Sequence, residues 1–197
     1  MGCLILSFNL QAQYFGIRGG FNFTDATIDL NDLELNTDQQ GNLLLGFFVD
    51  LPIGTEVLSI QPELNYQGRG YNYELENSGI EIANSFAYLD LGAIVKLNFG
   101  ADAPVGFYIG AGPFISYALS GTIEEGDFER ELDFDLERIR REDLSLAGIA
   151  GVAFGISTQF FLEARYLGSL SNQSTDATIT IRQNSIGVNA GFRVPLY

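Results

Sequence analysis

Leu58-Ser59-Ile60-Gln61-Pro62-Glu63-Leu64-Asn65-Tyr66-Gln67 alternates apolar and polar side chains at nearly every step. Successive side chains of an extended chain point to opposite faces. This stretch therefore has a greasy face (Leu58, Ile60, Pro62, Leu64, Tyr66) and a polar face (Ser59, Gln61, Glu63, Asn65, Gln67). It reads as a β-strand with two unlike environments.

The same parity rule finds strands on both sides of it. Upstream, about Tyr14 to Thr24 sets Phe15, Ile17, Phe21 and Phe23 against Arg18, Gly20 and Asn22. About Asn42 to Leu51 sets Leu43, Leu45, Phe47, Val49 and Leu51 against Gly46 and Asp50. Downstream, about Phe86 to Phe99 opposes Leu89, Leu91, Val95, Leu97 and Phe99 to Asp90, Gly92, Lys96 and Asn98. About Val105 to Leu119 opposes Phe107, Ile109, Ala111, Ile115 and Tyr117 to Tyr108, Gly110, Gly112 and Ser116. About Leu144 to Phe154 is small or apolar on both faces. Phe160, Leu162, Ala164 and Tyr166 then oppose Glu163 and Arg165. The last strand sets Ile186, Val188, Ala190, Phe192, Val194 and Leu196 against Ser185, Gly187, Asn189, Gly191 and Arg193.

The connections alternate in length. Pro52-Ile53-Gly54-Thr55 and Gly100 to Pro104 are tight turns. Asp25–Gly41, Gly68–Ser85, Ser120–Asp143 and Gly168–Thr180 are long and polar. Eight strands with short turns at one end and long loops at the other predict an all-β, eight-stranded antiparallel up-and-down transmembrane β-barrel. The short turns and both termini would be periplasmic and the long loops extracellular.

Composition agrees and removes other classes. Of 197 residues, 23 are Gly, 16 Phe and 9 Tyr, while Lys and Arg total 10. No run reaches the roughly 18–20 apolar residues that a spanning helix needs. The net charge of −15 argues against nucleic acid as a partner. There is no His and one Cys, Cys3. An internal disulfide, a Cys/His metal site, a His-dependent triad and a Cys–His pair are excluded.

Two features assign the greasy face to lipid. Phe15, Phe99, Phe107 and Phe160 stand at the short-turn ends of their rows, and Phe23, Tyr66, Tyr117 and Tyr166 at the loop ends. Two aromatic girdles around an aliphatic band match the two membrane interfaces. On the other face Arg18, Lys96, Arg165 and Arg193 accompany Asp50, Glu63, Asp90 and Glu163. Such a balanced set can form a charge network sealed in a narrow lumen. Backbone groups in lipid require the sheet to close. Pro62 and Pro113 lack a ladder donor and are expected at bulges or distorted pairings. The alternative is a soluble or lipocalin-like barrel with a polar exterior, binding a small molecule in its lumen.

Phe15-Gly16-Ile17-Arg18-Gly19-Gly20-Phe21-Asn22 resembles the first strand of the PorT-like outer-membrane β-barrel family of Gram-negative bacteria. Gln61-Pro62-Glu63-Leu64-Asn65-Tyr66 with Gly68, and Tyr88-Leu89-Asp90-Leu91 leading to Lys96, continue the likeness. So do Gly110-Ala111-Gly112-Pro113 and Glu163-Ala164-Arg165-Tyr166 with Gly168, Leu170 and Asn172. Gly92 stands where such proteins often carry Pro. The resemblance covers nearly all of 14–197. It implies an outer-membrane location and no catalysis or cofactor. One family member is linked to protein secretion and maturation at the cell surface, and no motif here carries that role across.

Residues 1–13 read as a signal peptide: Cys3 to Leu10 is a short apolar run, followed by Gln11-Ala12-Gln13, with no Lys or Arg before it. A first strand is the competing reading. Asn189 to Tyr197 resembles the terminal-strand signal read by barrel-insertion machinery, which with outer-membrane lipid is the expected partner. The third long loop holds ten acids and four Arg between Glu124 and Asp143. Divalent-cation binding through Glu124, Glu125 and Asp127, or through Asp133 and Asp135, stands against a simply solvated loop. Two local structures fit this loop. Leu132, Phe134 and Leu136 alternate as an extended hairpin, while Phe128, Leu132, Leu136 and Ile139 share a helical face. In all, 19 of 25 acids fall in the four long loops. Their field attracts basic partners, a cell-surface protein among them.

Overall fold

A computed structural model of the protein describes residues 13–30, 33–74, 81–100, 103–126, 128–176 and 178–196. The expected signal peptide, Cys3 included, lies outside them apart from Gln13, which opens the first strand. Asp127 and Tyr197 also lie outside.

Eight long strands form the ring: β1 (Gln13–Leu30), β3 (Asp38–Ile53), β4 (Thr55–Glu74), β5 (Glu81–Phe99), β6 (Val105–Glu125), β8 (Glu142–Phe154), β9 (Gln159–Ser169) and β10 (Ile179–Leu196). Two short strands, β2 (Leu33–Asn36) and β7 (Phe128–Glu131), extend the hairpins they follow by pairing with β1 and β6. Each long strand pairs antiparallel with its neighbours in the chain. β10 then pairs with β1 from Gln13↔Leu196 to Leu30↔Ile179, so the sheet closes. The eight-stranded ring expected from parity is the one found. The tight β3–β4 and β5–β6 turns place Gly54 at φ 70° and Gly100 at φ 71°, a region open to residues without a Cβ.

The apolar face points outward. Phe21, Leu43, Leu45, Leu91, Ile115 and Val188 are each about 60% exposed or more. The opposite face is buried inside the ring. A water-soluble barrel has the reverse arrangement.

The strands are longer than expected. β1, β4, β5 and β6 have 18, 20, 19 and 21 residues. A tilted strand crosses a membrane in about 9–11. Much of the expected loops Asp25–Gly41, Gly68–Ser85 and Ser120–Asp143 is therefore strand. The outward face turns polar there, at Asp25 and Asp29 on β1, Ser120 and Glu124 on β6, and Arg182 on β10. Alternation between greasy and polar ends where the strand leaves lipid, but hydrogen-bonded pairing continues.

Pro62 and Pro113 sit at distorted pairings, the second of the two expected arrangements, and not at bulges. Phe48↔Glu63 and Leu51↔Ile60 keep one register, and only the rungs between them, opposite Pro62, drop out. Gly92↔Phe114 and Val95↔Ala111 do the same around Pro113. A missing N–H removes a rung but need not shift the strand. The register shifts occur instead at Gln39/Leu44, at Pro52/Ile53 and at Ala87/Tyr88. The last inserts Leu119 into β6, after which Gly121 and Ile123 face inward.

Candidate functional site

The lumen holds the chain's concentrated chemistry. Alternation drives every second residue inward, and the inward set is polar. Arg18, Asp50, Glu63, Asp90, Lys96, Glu163, Arg165 and Arg193 are all buried inside the ring, and Arg69 and Asp143 join them. Five cations thus meet five anions, and the lumen is neutral.

They fall into three layers along the axis. Nearest the short turns, Asp50 accepts hydrogen bonds from both Lys96 and Arg193, and Arg193 Nε donates to Gln159 at 2.7 Å. In the middle, Arg18 reaches Glu63 at 2.8 Å and Glu163 at 2.9 Å, and Arg165 reaches the same two carboxylates at 2.8 and 3.2 Å. Gln61 joins these layers, accepting from Lys96 Nζ at 2.9 Å and donating to Glu63 at 2.7 Å. Towards the long loops, Arg69 pairs with Asp90 at 2.7 Å and Asp143 at 3.1 Å. Asp143 also accepts from Ser169 at 2.5 Å and Ser171 at 2.6 Å.

Aromatic rings back the cations. Arg18 lies over Phe48 at 4.6 Å, Arg69 over Tyr88 at 4.4 Å, Lys96 over Tyr108 at 5.0 Å, Arg165 over Phe114 at 5.7 Å and Arg193 over Tyr14 at 4.9 Å. A ring face partly replaces the hydration that a buried cation loses. The lumen is thus packed, not merely polar. Cavities lined by Asp50 and Arg193, by Tyr108 and Gln159, and by Gln61 and Lys96 measure about 20, 10 and 10 Å³, room for one water each. Gly92 matters here. A Cβ on it would lie 2.5 Å from the Phe114 ring and 2.5 Å from the Pro113 carbonyl oxygen. A residue larger than Gly would displace the ring under Arg165.

Arg69 and Asp143 are missing from the charge network read in the sequence, because Gly68–Ser85 and Ser120–Asp143 are read there as loop. A signal exists: Arg69 continues the odd-numbered series Gln61, Glu63, Asn65, Gln67, and Asp143 precedes Ser145 on the same face.

Above Arg69 the lumen becomes mostly apolar, with Asn84 and Gln183 buried among the apolar side chains. Ala26, Tyr71, Phe86, Tyr88, Ala118 and Ile123 line it, and Leu132 and Phe134 close it from the third long loop. β7 shows that Phe128–Glu131 is strand. The chain then turns, with Glu137 N donating to Asp133 O at 2.9 Å and Ile139 N to Phe134 O at 3.0 Å. The one-faced helix of the alternative reading is absent: Leu132 is buried while Phe128 and Leu136 are 83% and 80% exposed. Leu132 and Phe134 fold inward together as a plug. The fourth loop clasps this plug. Thr175 N donates to Arg138 O at 2.8 Å, Arg140 N donates to Gln173 O at 2.7 Å, and Arg138 pairs with Asp176 at 3.1 Å. Thr178, through its backbone N–H and then its hydroxyl, holds the Asp176 carboxyl below the usual carboxylate range, with Arg138 adding to the effect.

Among the described residues, no three Asp, Glu, Cys or His side chains gather as a metal site. Asp133 instead accepts from the backbone N–H groups of Asp135 and Leu136 at 3.0 and 3.3 Å, a local turn device. On the outer surface, Phe15, Phe23, Tyr66, Phe99, Phe107, Tyr117, Phe160 and Tyr166 all face out. The register aligns them in rows. Tyr66 faces Leu89, which faces Tyr117, and Tyr166 faces Ile186, which faces Phe23. Phe99 faces Phe107, and Phe160 faces Phe192.

Residues 11–174 match the sequence profile described as outer membrane protein beta-barrel domain. The chain belongs to this family. It is an integral outer-membrane β-barrel protein of a Gram-negative bacterium. Among solved structures, the outer membrane protein OprG from Pseudomonas aeruginosa shares the barrel at 14% identity, over 94% of this chain and 98% of that one, with a TM-score of 0.54. Ail, the attachment invasion locus protein of Yersinia pestis, in complex with the heparin analogue sucrose octasulfate, matches at 15% identity, over 92% and 99%, with a TM-score of 0.48. Neisserial surface protein A matches at 14% identity, over 92% and 97%, with a TM-score of 0.45. The search of curated proteins found no match. The family profile and the OprG likeness agree on the barrel fold.

Proposed function

We propose that this barrel is a plugged, non-catalytic membrane anchor of the PorT-like kind that presents its acidic loops outside the cell. The observation that carries this reading is the filled lumen. Five buried ion-pair partners of each sign, their aromatic backing and the Phe134 plug occupy the axis along which a solute would pass. Eight strands enclose little more than their own side chains. The chain has no His, and the buried carboxylates are engaged by Arg or Lys, so no free acid–base pair is presented for catalysis.

In this reading residues 1–13 direct export, and Asn189 to Tyr197 is read by the barrel-insertion machinery. The two aromatic girdles lie at the lipid headgroups. Short turns and both termini face the periplasm, which sends the long, acidic ends outward. That acidic field disfavours nucleic acid and favours a basic protein partner at the cell surface. A lipocalin-like ligand site is disfavoured, because the exterior is the greasy surface and the lumen has no room.

Reconstitution in planar bilayers tests the plug. The expected result is bilayer insertion without channels of nanosiemens size. Stable nanosiemens steps from the folded protein would contradict it.

A further inference from the structure

β7 is exposed on every side but one. It pairs with β6 through Thr122↔Glu131, Ile123↔Arg130, Glu124↔Glu129 and Glu125↔Phe128, and with no other strand among the described residues. All four of its side chains are exposed. Leu132 N donates to Gly121 O at 2.8 Å, and hydrogen-bonded pairs recur every second rung, so Ile123↔Arg130 and Glu125↔Phe128 belong to the same series. The N–H and C=O groups of Glu129 and Glu131 therefore point away from β6, along an open edge. Phe128 on this strand and Leu136, next to the Glu137 that pairs with Arg130 of β7, have the highest exposure of the large apolar side chains described, 83% and 80%. The β6–β7 hairpin stands beyond the lipid-facing band, so no acyl chain covers them.

We propose that the free edge of β7 is a docking site for an extended, basic protein segment, which adds as a further strand and sets an apolar side chain against Phe128 and Leu136. Charge selects this occupant. Glu124, Glu125, Glu129, Glu131, Asp133 and Asp135 surround the edge and are exposed. The nearby Arg130 is held by Glu137 at 2.7 Å and Arg138 by Asp176 at 3.1 Å. A second copy of the chain would bring its own glutamates against these, and like charges across a strand pair repel. Anionic lipid is repelled for the same reason. The glutamates thus block self-pairing and admit a lysine- or arginine-bearing strand. This inference rests on the reading that the acidic loops face outward.

The test uses the full barrel in phosphatidylcholine nanodiscs and two labelled octapeptides, one alternating Lys with Val and one alternating Glu with Val. Saturable binding of the Lys peptide and none of the Glu peptide is expected. Glu129→Pro removes an N–H on the free edge and none that bonds β6, so it should weaken binding roughly tenfold while the folded gel mobility is kept. A paired Phe128→Ser, Leu136→Ser variant should weaken it as well. Binding unchanged by Glu129→Pro would reduce the contact to charge alone and overturn the proposal. Absence of Lys-peptide binding, or self-association through β7, would also overturn it. Nanodiscs expose both membrane faces, so this result is independent of orientation. Trypsin treatment of intact cells, cutting after Arg130, reads orientation separately.

Discussion

Glu63→Ala should destabilise the barrel by about 3–5 kcal/mol, because it strands two buried guanidiniums against each other. Glu63 accepts from Arg18 at 2.8 Å and from Arg165 at 2.8 Å, and also from Gln61 and Asn65 at 2.7 and 3.2 Å. Its side chain and that of Arg18 have no exposure at all. Without it, Glu163 alone must serve both arginines, and the neutral lumen gains a net positive charge. Urea unfolding in lipid vesicles reads the loss. Adding Arg165→Met should recover part of it, since the second change removes the uncompensated charge. A loss below about 1 kcal/mol, the range of exposed ion pairs, would show that the network carries no such role.

The second large effect comes from a residue that looks like surface. Val95 is 53% exposed and lies midway between the girdle rows of Leu89 and Phe99, paired with Ile60 and Ala111. In a soluble protein, Val→Arg at such a site changes stability by about 0.5 kcal/mol or less. In hydrocarbon the same change costs about 2–4 kcal/mol at the bilayer midplane and about 0–1 near the interfaces. Val95→Arg is therefore expected in the upper range and Phe99→Arg, at the short-turn end, in the lower one. Equal costs at the two positions would mean that no membrane grades the surface.

Much of the barrel is legible in the sequence because lipid and lumen impose opposite demands on alternate residues. Strands such as Leu58–Gln67 state that contrast outright. The same physics hides the rest. Beyond Phe23, Tyr66 and Tyr117 the outer face meets water, both faces can be polar, and period two loses its contrast although pairing continues. Arg69 and Asp143 fall in that zone and so read as loop. Phe48, Tyr88 and Phe114 are concealed differently, because an inward aromatic breaks the polar pattern unless the cation above it is known. The Phe134 plug depends on contacts between segments far apart in the chain, with Tyr71 and Phe86, which no local pattern encodes.

The chain contains no Trp, so a single introduced indole reports cleanly on its surroundings. Leu91→Trp on β5 and Phe48→Trp on β3 place it on opposite sides of the barrel wall, one 62% and one 4% exposed in the parent residue. Fluorescence of each folded variant in vesicles of lipids brominated along the acyl chain is the most direct measurement. Strong quenching of the Leu91→Trp variant with little quenching of the Phe48→Trp variant is predicted. Equal quenching, or the reverse order, would contradict a ring that turns its greasy face to hydrocarbon and seals its charges within.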